Sequence, residues 1–380
     1  MNHQWQTKHL GDVATVGAGN SAPQDKSLFK DGTIPFFRTA DAGRVRFGDI
    51  TESTDYLNEK GVKGLRRFHP GTILFPKSGA STFLNHRVML GVEGCVSSHL
   101  ATIIADEKQV HPKFLLYFLS TVAAQDLIQD HAYPSLNLPT ISAIEVSFPQ
   151  LVEQQRIVNV LDEAFESLTL IKANTEKNLQ NASTLFKSYL QSVFTKRGEG
   201  WVETTLENCC EQIFAGGDVP KDRLSYEWTP KFSVPIYSNG EKNNGLYGYT
   251  DLARVTKPSI TVSARGTLGF TAVRTEPFLP VVRLIVLVPD EAQIKLSFLY
   301  YAVVGMDFGN TGSSIPQLTV PNFKESKIQV PSLSEQEAIV EKLDALSEET
   351  KHLARLYDRK LVALESLKKS LLHQAFTGQL

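Results

Sequence analysis

The chain has few of the features that stabilise secreted proteins or anchor membrane proteins. Its 380 residues include only three cysteines, and the adjacent pair Cys209 and Cys210 does not have the spacing of a zinc site. The polar first twelve residues predict no signal peptide. The longest apolar runs, 114–124 and 280–289, are too short to span a bilayer. We therefore expect a globular, soluble, cytoplasmic protein that binds no membrane.

The sequence signatures of several enzyme classes are also absent. There is no phosphate-binding G-x4-G-K-[ST] loop, no H-E-x-x-H zinc pair and no G-x-S-x-G nucleophile elbow. Residues 17–22 fit a dinucleotide-binding glycine pattern, but Pro23 follows directly and no helical period begins there. We expect no catalytic centre and no metal site, and no cofactor bound by this chain itself.

The chain contains an internal repeat. Residues 149–162 read PQLVEQQRIVNVLD, and residues 331–344 read PSLSEQEAIVEKLD. Between 151–195 and 333–377, 15 of 45 positions are identical without a gap. The similarity continues upstream with sliding offsets, as when Trp5 matches Trp201. Each half is therefore a variable block followed by a block of fixed length.

The fixed blocks have the pattern of long helices. Counting in 4-3 steps from Ile157 and from Ile339, eight of ten positions in each block are apolar, small or aromatic. This heptad pattern predicts a two-stranded coiled coil, in which polar Asn178 and Lys360 would set the register. Two ordinary amphipathic helices, each packed on its own domain, are the alternative.

Residues at the ends of the fixed blocks are typical of helix termini. Ser334 and Glu337 have the spacing of a capping box at the start of the second helix. Gly198 and Gly378 follow the last periodic residues, where a left-handed residue commonly ends a helix.

The predicted fold class is α+β. Two mixed α/β domains would lie at opposite ends of a long antiparallel two-helix coiled coil, with approximate two-fold symmetry. The predicted boundaries are 1–150 for the first domain, 151–197 for the first spacer helix, 198–331 for the second domain and 332–380 for the second spacer helix. The strand candidates are 33–38, 72–76, 94–104, 259–263, 269–274 and 281–288, and the domain helices are 112–130 and 296–308.

The net charge of -2 conceals two basic stretches. Residues 38–87 contain nine Lys or Arg against five acidic residues, and residues 254–283 contain five against one. Basic, amide and hydroxyl side chains are the ones that contact phosphates and base edges. Ordinary solvated loops of mixed charge are the alternative. The candidate DNA-binding residues are Arg38, Lys77, Ser78, Arg87, Asn239, Lys242, Asn243, Arg254, Arg265 and Thr267.

The duplicated motif P-x-L-x-E-Q-x-x-I-V-x-x-L-D, each time after a variable block that opens W-x4-L, resembles the DNA-specificity subunit of type I restriction–modification systems. The resemblance covers essentially the whole chain. Gln150 and Ser332 stand where the family frequently has a second proline, which affects only the entry into the helix. The resemblance rests on Pro149, Leu151, Glu153, Gln154, Ile157 and Leu161, on their counterparts Pro331, Leu333, Glu335, Gln336, Ile339 and Leu343, and on the later pair Phe194 and Phe376.

The resemblance implies a non-catalytic subunit that binds double-stranded DNA and reads a bipartite, asymmetric target. It implies that the helices fix the unread gap and dock two adenine-N6 methyltransferase subunits, and that motor–endonuclease subunits join for restriction. S-adenosylmethionine, ATP and magnesium would then belong to those partners. The helix residues given these roles are Glu153, Gln154, Ile157, Leu161, Phe194, Glu335, Gln336, Ile339, Leu343 and Phe376.

Other functions agree with the same sequence. The chain could be a coiled-coil scaffold with two protein-binding domains. Within the resembled family, it could serve a methyltransferase-only system or a type IIB-like relative. A scaffold would show no salt-dependent affinity for duplex DNA, whereas a specificity subunit would lose affinity steeply with salt.

Overall fold

A computed structural model describes residues 5–128, 134–195, 200–306, 308 and 318–380. The strands in these ranges are β1 (Gln6–His9), β2 (Ala14–Ala18), β3 (Ile34–Phe37), β4 (Phe47–Ile50), β5 (Asp55–Leu57), β6 (Arg67–Phe68), β7 (Ile73–Pro76), β8 (Arg87–Leu90), β9 (Gly94–Val96), β10 (Leu100–Ala105), β11 (Glu145–Phe148), β12 (Val202–Thr205), β13 (Cys210–Ala215), β14 (Val234–Tyr237), β15 (Leu246–Thr250), β16 (Ser259–Val262), β17 (Thr271–Arg274), β18 (Leu279–Pro280), β19 (Ile285–Pro289) and β20 (Lys327–Val330). The α-helices are α1 (Leu10–Val13), α2 (Thr39–Val45), α3 (Pro112–Thr121), α4 (Leu138–Ser142), α5 (Leu151–Thr195), α6 (Leu206–Cys209), α7 (Leu296–Val304), α8 (Val320–Lys324) and α9 (Leu333–Phe376). Short 3-10 helices cover Lys26–Phe29, Ala80–Leu84, Ala124–Leu127 and Lys242–Gly245.

The chain divides into two compact units. Unit 1 comprises Met1–Asn174 and Lys360–Leu380, and unit 2 comprises Thr175–Arg359. Each unit therefore combines one variable block with part of α5 and part of α9. Within unit 1, Lys172 Nζ lies 2.7 Å from Glu365 Oε1, and residue numbers on the two helices run in opposite directions. The helix segments of unit 1 are antiparallel, while the two-stranded coiled coil as a whole stays a prediction.

The sheets of the two units follow the same plan. In unit 1, β1 pairs with β11, and the larger sheets have the orders β2-β10-β7-β8-β4 and β5-β3-β9-β6. In unit 2, β12 pairs with β20, and the orders are β13-β19-β16-β17 and β15-β14-β18. The sequence repeat is thus also a repeat of sheet topology, to which unit 1 adds the edge strands β4 and β6. Mixed α/β blocks with long helices agree with the predicted fold class.

Central strands of both units are apolar throughout because both faces of their sheets are covered. All residues of β7 are buried: Ile73 and Phe75 contact the core beneath α3, and Leu74 joins a second core on the opposite face. All residues of β19 are buried in the same way. Such strands show a continuous apolar run instead of alternation.

Several predicted elements have different ends in the structure. The predicted strand 94–104 is two strands, β9 and β10, separated by a turn at 97–99. The predicted strand 281–288 begins only at Ile285, because Val282 and Arg283 adopt left-handed φ values of 54° and 65°. The predicted helix 112–130 ends at Thr121, and its residues 129–130 lie outside the described residues.

The helix caps are partly as predicted. The helix α9 begins at Leu333, and the Glu335 N–H donates to Ser332 Oγ at 3.4 Å, so the capping serine is Ser332 and the predicted pair Ser334 and Glu337 was wrong. Gly378 follows α9 with a φ of +74°, as expected for a terminating residue. Gly198 lies outside the described residues.

Several positions of the predicted heptad register are exposed in the second half of each helix, although Ala182 is buried as predicted. On α5, Leu185 and Tyr189 are 54% and 37% exposed, whereas Leu190 is buried. Asn178 and Lys360, predicted to lie in the seam, are both exposed. A straight helix drifts by about 20° per heptad from an exact seven-residue repeat. Burial follows that drift, so the buried stripe moves off the predicted positions.

Candidate nucleic-acid interface

In unit 1, loops that join the two larger sheets meet at one set of strand ends. The Ser97 N–H donates to the Phe37 carbonyl at 2.8 Å, which ties the turn after β9 to the end of β3. The Ser98 N–H donates to the Asn20 carbonyl at 2.7 Å, and the Asn20 N–H donates to the Val96 carbonyl at 2.5 Å. The turn at 97–99 is therefore held by backbone bonds on both sides.

Unit 2 repeats this backbone frame. The Val281 N–H donates to the Tyr237 carbonyl at 2.9 Å, and the Val282 N–H donates to the Gly217 carbonyl at 2.8 Å. The Gly217 N–H in turn donates to the Pro280 carbonyl at 3.3 Å. Each bond has its counterpart in unit 1, so Ser98 corresponds to Val282 and His99 to Arg283.

A second pair of segments corresponds in the same manner. The Leu136 N–H donates to the Lys77 carbonyl at 2.7 Å, and the Leu318 N–H donates to the Ala264 carbonyl at 3.1 Å. Left-handed glycines follow at 79 and 266, with φ values of +75° and +72°. Ser78 therefore corresponds to Arg265. We call residues 20, 38, 77–79 and 97–99 of unit 1, and 217, 239, 264–266 and 281–283 of unit 2, the strand-end surfaces.

The strand-end surface of unit 1 contains three of the predicted DNA-binding residues. Lys77 and Ser78 are half-buried, and Ser78 Oγ lies 2.7 Å from Nδ1 of His99, which is exposed. Arg38 Nε lies 2.5 Å from Asp55 Oδ2, and its guanidinium is 5.0 Å from the centre of the Phe36 ring. These two contacts hold the Arg38 side chain in place. The side chain is 38% exposed, so it still reaches solvent.

The strand-end surface of unit 2 contains Asn239 and Arg265, and Thr267 follows directly. Arg265 and Thr267 are exposed. The Asn239 amide connects two loops: its Nδ2 donates to the Val282 carbonyl at 2.5 Å, and its Oδ1 accepts from the Ala264 N–H at 2.8 Å. Asn239 therefore fixes the backbone of this surface.

The remaining candidates of unit 2 lie on neighbouring loops. Lys242 and Asn243 are exposed on the short turn before β15, where Asn243 has a φ of 49°. Arg254 is exposed, and its guanidinium stacks 4.4 Å from the centre of the Phe214 ring. A Cβ atom at Gly217 would lie 3.9 Å from Arg254 Nη1, so this guanidinium is next to the strand-end surface.

Arg87 is not on the surface, so we withdraw it from the DNA-binding candidates. Its side chain is fully buried, its guanidinium lies 3.5 Å from the centre of the Phe75 ring, and it donates to the carbonyl oxygens of His86 and Val122 at 2.8 and 3.4 Å. Burial lowers the pKa of Arg87 to about 9. Its position at the start of a strand that packs on both faces explains the burial, and sequence composition does not reveal it.

Sequence reasoning also missed two exposed cationic or titratable side chains of these surfaces, His99 and Arg283. The signal was available in part, because the region 94–100 aligns with 278–284 at a constant offset once β10 and β19 are matched. The correspondence becomes certain only through the backbone hydrogen bonds.

The glutamine of the repeated motif is buried in unit 1. Gln154 Nε2 donates to the carbonyl oxygens of Gln109 and Pro149 at 3.0 and 2.8 Å, and Gln154 Oε1 accepts from the His111 N–H at 2.8 Å. One side chain thus connects the start of α5 to the loop before α3.

Unit 2 contains the same arrangement around Gln336. Its Nε2 donates to the carbonyl oxygens of Gln293 and Pro331, both at 3.0 Å, and its Oε1 accepts from the Lys295 N–H at 2.8 Å. Both glutamines are completely buried. Both glutamines lie in the predicted spacer helices, and their amides bond within the chain, so each one holds the start of its helix to a variable block.

Apolar residues of the long helices are likewise used inside the units. Leu161 and Leu343 are completely buried and Ile157 nearly so, while Ile339 is half-buried. These residues pack on the cores of the variable blocks.

The last turns of the two long helices also contact the variable blocks. The Phe376 ring lies 5.2 Å from Phe114 of α3, and the Phe194 ring lies 5.4 Å from Phe298 of α7. Each domain helix therefore packs against the end of one long helix, and the matched aromatic pairs explain why Phe194 and Phe376 recur in the repeat.

Polar residues on the first turns make local contacts. Glu153 binds Arg156 Nη2 at 2.7 Å, and Glu335 Oε1 accepts from Trp201 Nε1 at 2.9 Å. Farther along α5, Asp162 accepts a hydrogen bond from the Tyr117 hydroxyl. In unit 2, Asp344 accepts one from the Tyr301 hydroxyl. Burial, with the carboxylate beside it, raises the pKa of Tyr117 well above its usual range.

Within the described ranges, no group of three or more His, Cys, Asp or Glu side chains is placed to hold a metal ion. In the same ranges, no helix is both long enough and apolar enough to cross a membrane.

Comparison with protein families identifies the repeated unit. The family model of the type I restriction modification DNA specificity domain matches residues 2–181 and, a second time, residues 198–357. The chain belongs to this family. The resemblance based on the duplicated motif is thereby confirmed, and membership implies DNA sequence recognition by a component of a type I restriction–modification system.

Relatives of this specificity-domain chain are found in bacteria and archaea. A putative type I specificity subunit of Mycoplasma pneumoniae is 32% identical over 343 residues, which cover 90% of this chain and 89% of that protein. The specificity subunit of the type I restriction enzyme MjaIX of Methanocaldococcus jannaschii is 26% identical over 170 residues, 43% of this chain and 38% of that protein.

Solved structures share the fold. A chain from a structure of the type I R-M system aligns with a TM-score of 0.82 at 18% identity, covering 99% of this chain and 98% of that chain. The HsdS subunit of Thermoanaerobacter tengcongensis aligns with a TM-score of 0.63 at 18% identity, covering 99% and 97%. The predicted class, two mixed α/β domains with long helices, is confirmed.

Proposed function

We propose that this specificity-domain chain reads a bipartite, asymmetric DNA target, with each variable block reading one half. The observation that carries the proposal is the pair of strand-end surfaces, in which one backbone frame presents different side chains. Lys77 and Ser78 stand in unit 1 where Ala264 and Arg265 stand in unit 2, and His99 stands where Arg283 does. Different base-reading groups on one frame select different sequences.

The same surfaces supply phosphate contacts. Lys77 and Arg38 in unit 1, and Arg254 and Arg265 in unit 2, are cations at or beside the strand ends. Cationic side chains neutralise phosphates and give an affinity that falls with salt. The small number of such cations on each surface is consistent with the overall charge of -2, because other subunits would supply the remaining phosphate contacts.

In this proposal the chain itself is non-catalytic. The long helices set the length of the unread gap, and their exposed faces dock two adenine-N6 methyltransferase subunits. S-adenosylmethionine is bound by those subunits, and ATP and magnesium by motor–endonuclease subunits. Support for such an assembly comes from the relatives, whose names place them in type I restriction enzymes or R-M systems.

Mapping N6-methyladenine across the host genome, with and without this chain, tests the proposal. We expect one bipartite motif with unlike halves and a constant gap, present only when the chain is expressed. A motif that persists after its deletion, or no chain-dependent methylation, would contradict DNA reading by this chain. A plating assay with unmethylated phage on the same strains tests whether motor–endonuclease subunits act with it.

A further inference from the structure

The two-residue tips of the strand-end surfaces, 98–99 in unit 1 and 282–283 in unit 2, combine a fixed backbone with exposed side chains. Both tips follow a strand that pairs in parallel with its neighbour, β9 with β3 and β18 with β14. Backbone bonds on either side fix each tip, so the side chains of His99 and Arg283 start from defined positions. Both side chains are exposed.

In unit 2 the tip adopts an unfavourable backbone conformation. Val282 and Arg283 have φ values of 54° and 65°, in the left-handed region that L-residues other than glycine, asparagine and aspartate rarely enter. The corresponding residues of unit 1, Ser98 and His99, are not in this region. The shared frame therefore does not impose the strain, and strain of this kind clusters where side chains act on a ligand.

The strained tip is clamped from the neighbouring loop. Asn239 donates to the Val282 carbonyl at 2.5 Å and accepts from the Ala264 N–H at 2.8 Å, which ties the tip to the segment carrying Arg265. Within the described ranges, neither Arg265 nor Arg283 makes a side-chain hydrogen bond or ion pair. Asn239 thus ties together the two backbone segments from which the Arg265 and Arg283 side chains extend at one strand-end surface.

We propose that Arg283 is a base-reading residue of unit 2 and that it selects a guanine. The inference rests on the proposed function and deepens it. A guanidinium donates two parallel hydrogen bonds to O6 and N7 of guanine in the major groove, and this is the commonest specific arginine contact. At the corresponding position of unit 1, His99 is held by Ser78 and reads a different base pair.

The test uses strains that carry the complete chain as wild type or as Arg283→Ala, Arg283→Lys or His99→Ala, with N6-methyladenine mapped in each genome. For Arg283→Ala we expect the preference for guanine at one position of one half-site to fall about tenfold to hundredfold, with the other half-site unchanged. Arg283→Lys should retain part of the preference. His99→Ala should alter only the other half-site.

Lys257→Ala is the matched control. Lys257 is an exposed cation of unit 2, paired with Glu211 at 2.5 Å, and it lies before the opposite end of β16 from the strand-end surface. This variant should leave both half-sites unchanged. The thermal unfolding midpoint of each purified variant shows whether it is folded.

The outcomes separate the inference from the proposed function. A wild-type bipartite motif that Arg283→Ala leaves unchanged would overturn the role of Arg283 and leave the proposed function standing. An equal loss at all positions would identify a phosphate contact and overturn base reading by Arg283. Absence of any motif in the wild type would overturn the proposed function, and with it this inference.

Discussion

Units 1 and 2 differ most clearly where the end of a long helix meets the domain helix. In unit 1, the Lys368 ammonium lies 3.7 Å from the centre of the Phe47 ring and 5.3 Å from that of Phe165, and Tyr117 stacks on Phe47 at 5.4 Å. At the corresponding position of unit 2, 182 residues earlier, Phe186 packs on Tyr301 with ring centres 6.3 Å apart.

The difference shows how a duplicated fold can give each helix end its own site. A half-buried cation over several aromatic rings is stabilised by cation–π attraction, whereas Phe186 packs on one ring, that of Tyr301, in a cluster with the apolar Leu190 and Leu343. Exchanging the two helix ends would place an ammonium group in an apolar cluster. The contacts therefore favour the end of α9 packing on the variable block of unit 1 and the end of α5 packing on that of unit 2.

Shared features should respond alike in both units, and the largest expected effect tests this. Gln154→Leu or Gln336→Leu would leave two buried carbonyls and one N–H without partners, so we expect each to lower the free energy of unfolding by about 3 kcal/mol. Hydrogen exchange of α3 for the first variant and of α7 for the second measures the loss unit by unit. A clearly unequal loss would break the equivalence of the units.

A smaller effect should be confined to unit 1. Buried Asp41 accepts hydrogen bonds from the N–H groups of Arg38 and Thr54 at 2.8 and 2.9 Å and from Ser53 Oγ at 3.2 Å. Burial alone would raise the pKa of Asp41, but these bonds outweigh it and lower the pKa below its usual 3.8. A lowered pKa means that this stability is present above pH 3.8 and is lost as the pH falls through the folded value.

We therefore expect Asp41→Asn to lower the free energy of unfolding by about 1–2 kcal/mol at pH 7. The variant should also reduce the amount by which unit 1 loses stability as the pH falls. Hydrogen exchange of β3 and β7 between pH 3 and pH 7, corrected for the intrinsic exchange rate, is the measurement. Exchange of α7 in unit 2 serves as the internal control. An unchanged pH profile of unit 1 in the variant would show that Asp41 does not govern it.

The smallest expected effect concerns the contrast at the helix ends. Lys368→Met removes the ammonium but keeps a similar apolar stem, so we expect a loss of about 1 kcal/mol in unit 1. The matched change Phe186→Lys should cost more than Lys368→Met, because it removes apolar packing and places an ammonium group beside Leu190 and Leu343. Equal costs for the two variants would remove the proposed preference for one pairing. Chemical denaturation of the full chain, read by hydrogen exchange in each unit, supplies both values.

Much of the architecture could be predicted from the sequence because it depends on local pattern and on duplication. The repeat predicted two variable blocks and two helices, and the helices Leu151–Thr195 and Leu333–Phe376 lie within the predicted segments. Continuous apolar runs predicted β7 and β16 to within one residue. The strand predicted at 281–288 began too early, since nothing in its apolar composition signals two left-handed residues.

The candidate site could be predicted only in part. Lys77, Ser78 and Arg265 do lie at corresponding strand ends, but His99 and Arg283 were not selected, and Arg87 was selected although it is buried. Composition reports which side chains could bind DNA. It does not report which of them point into a core.

The sequence by itself determined the repeat, the family and the positions of the long helices, because each follows from spacing along the chain. Only the tertiary structure decided that Asn239 bridges Val282 and Ala264 and that the Gln154 amide bonds to backbone groups of its own unit. It also decided that burial along the long helices departs from an exact seven-residue repeat. These features depend on side chains and loops that are distant in sequence and adjacent in space. Their contacts are set by how the sheets and helices pack, and no local pattern encodes them.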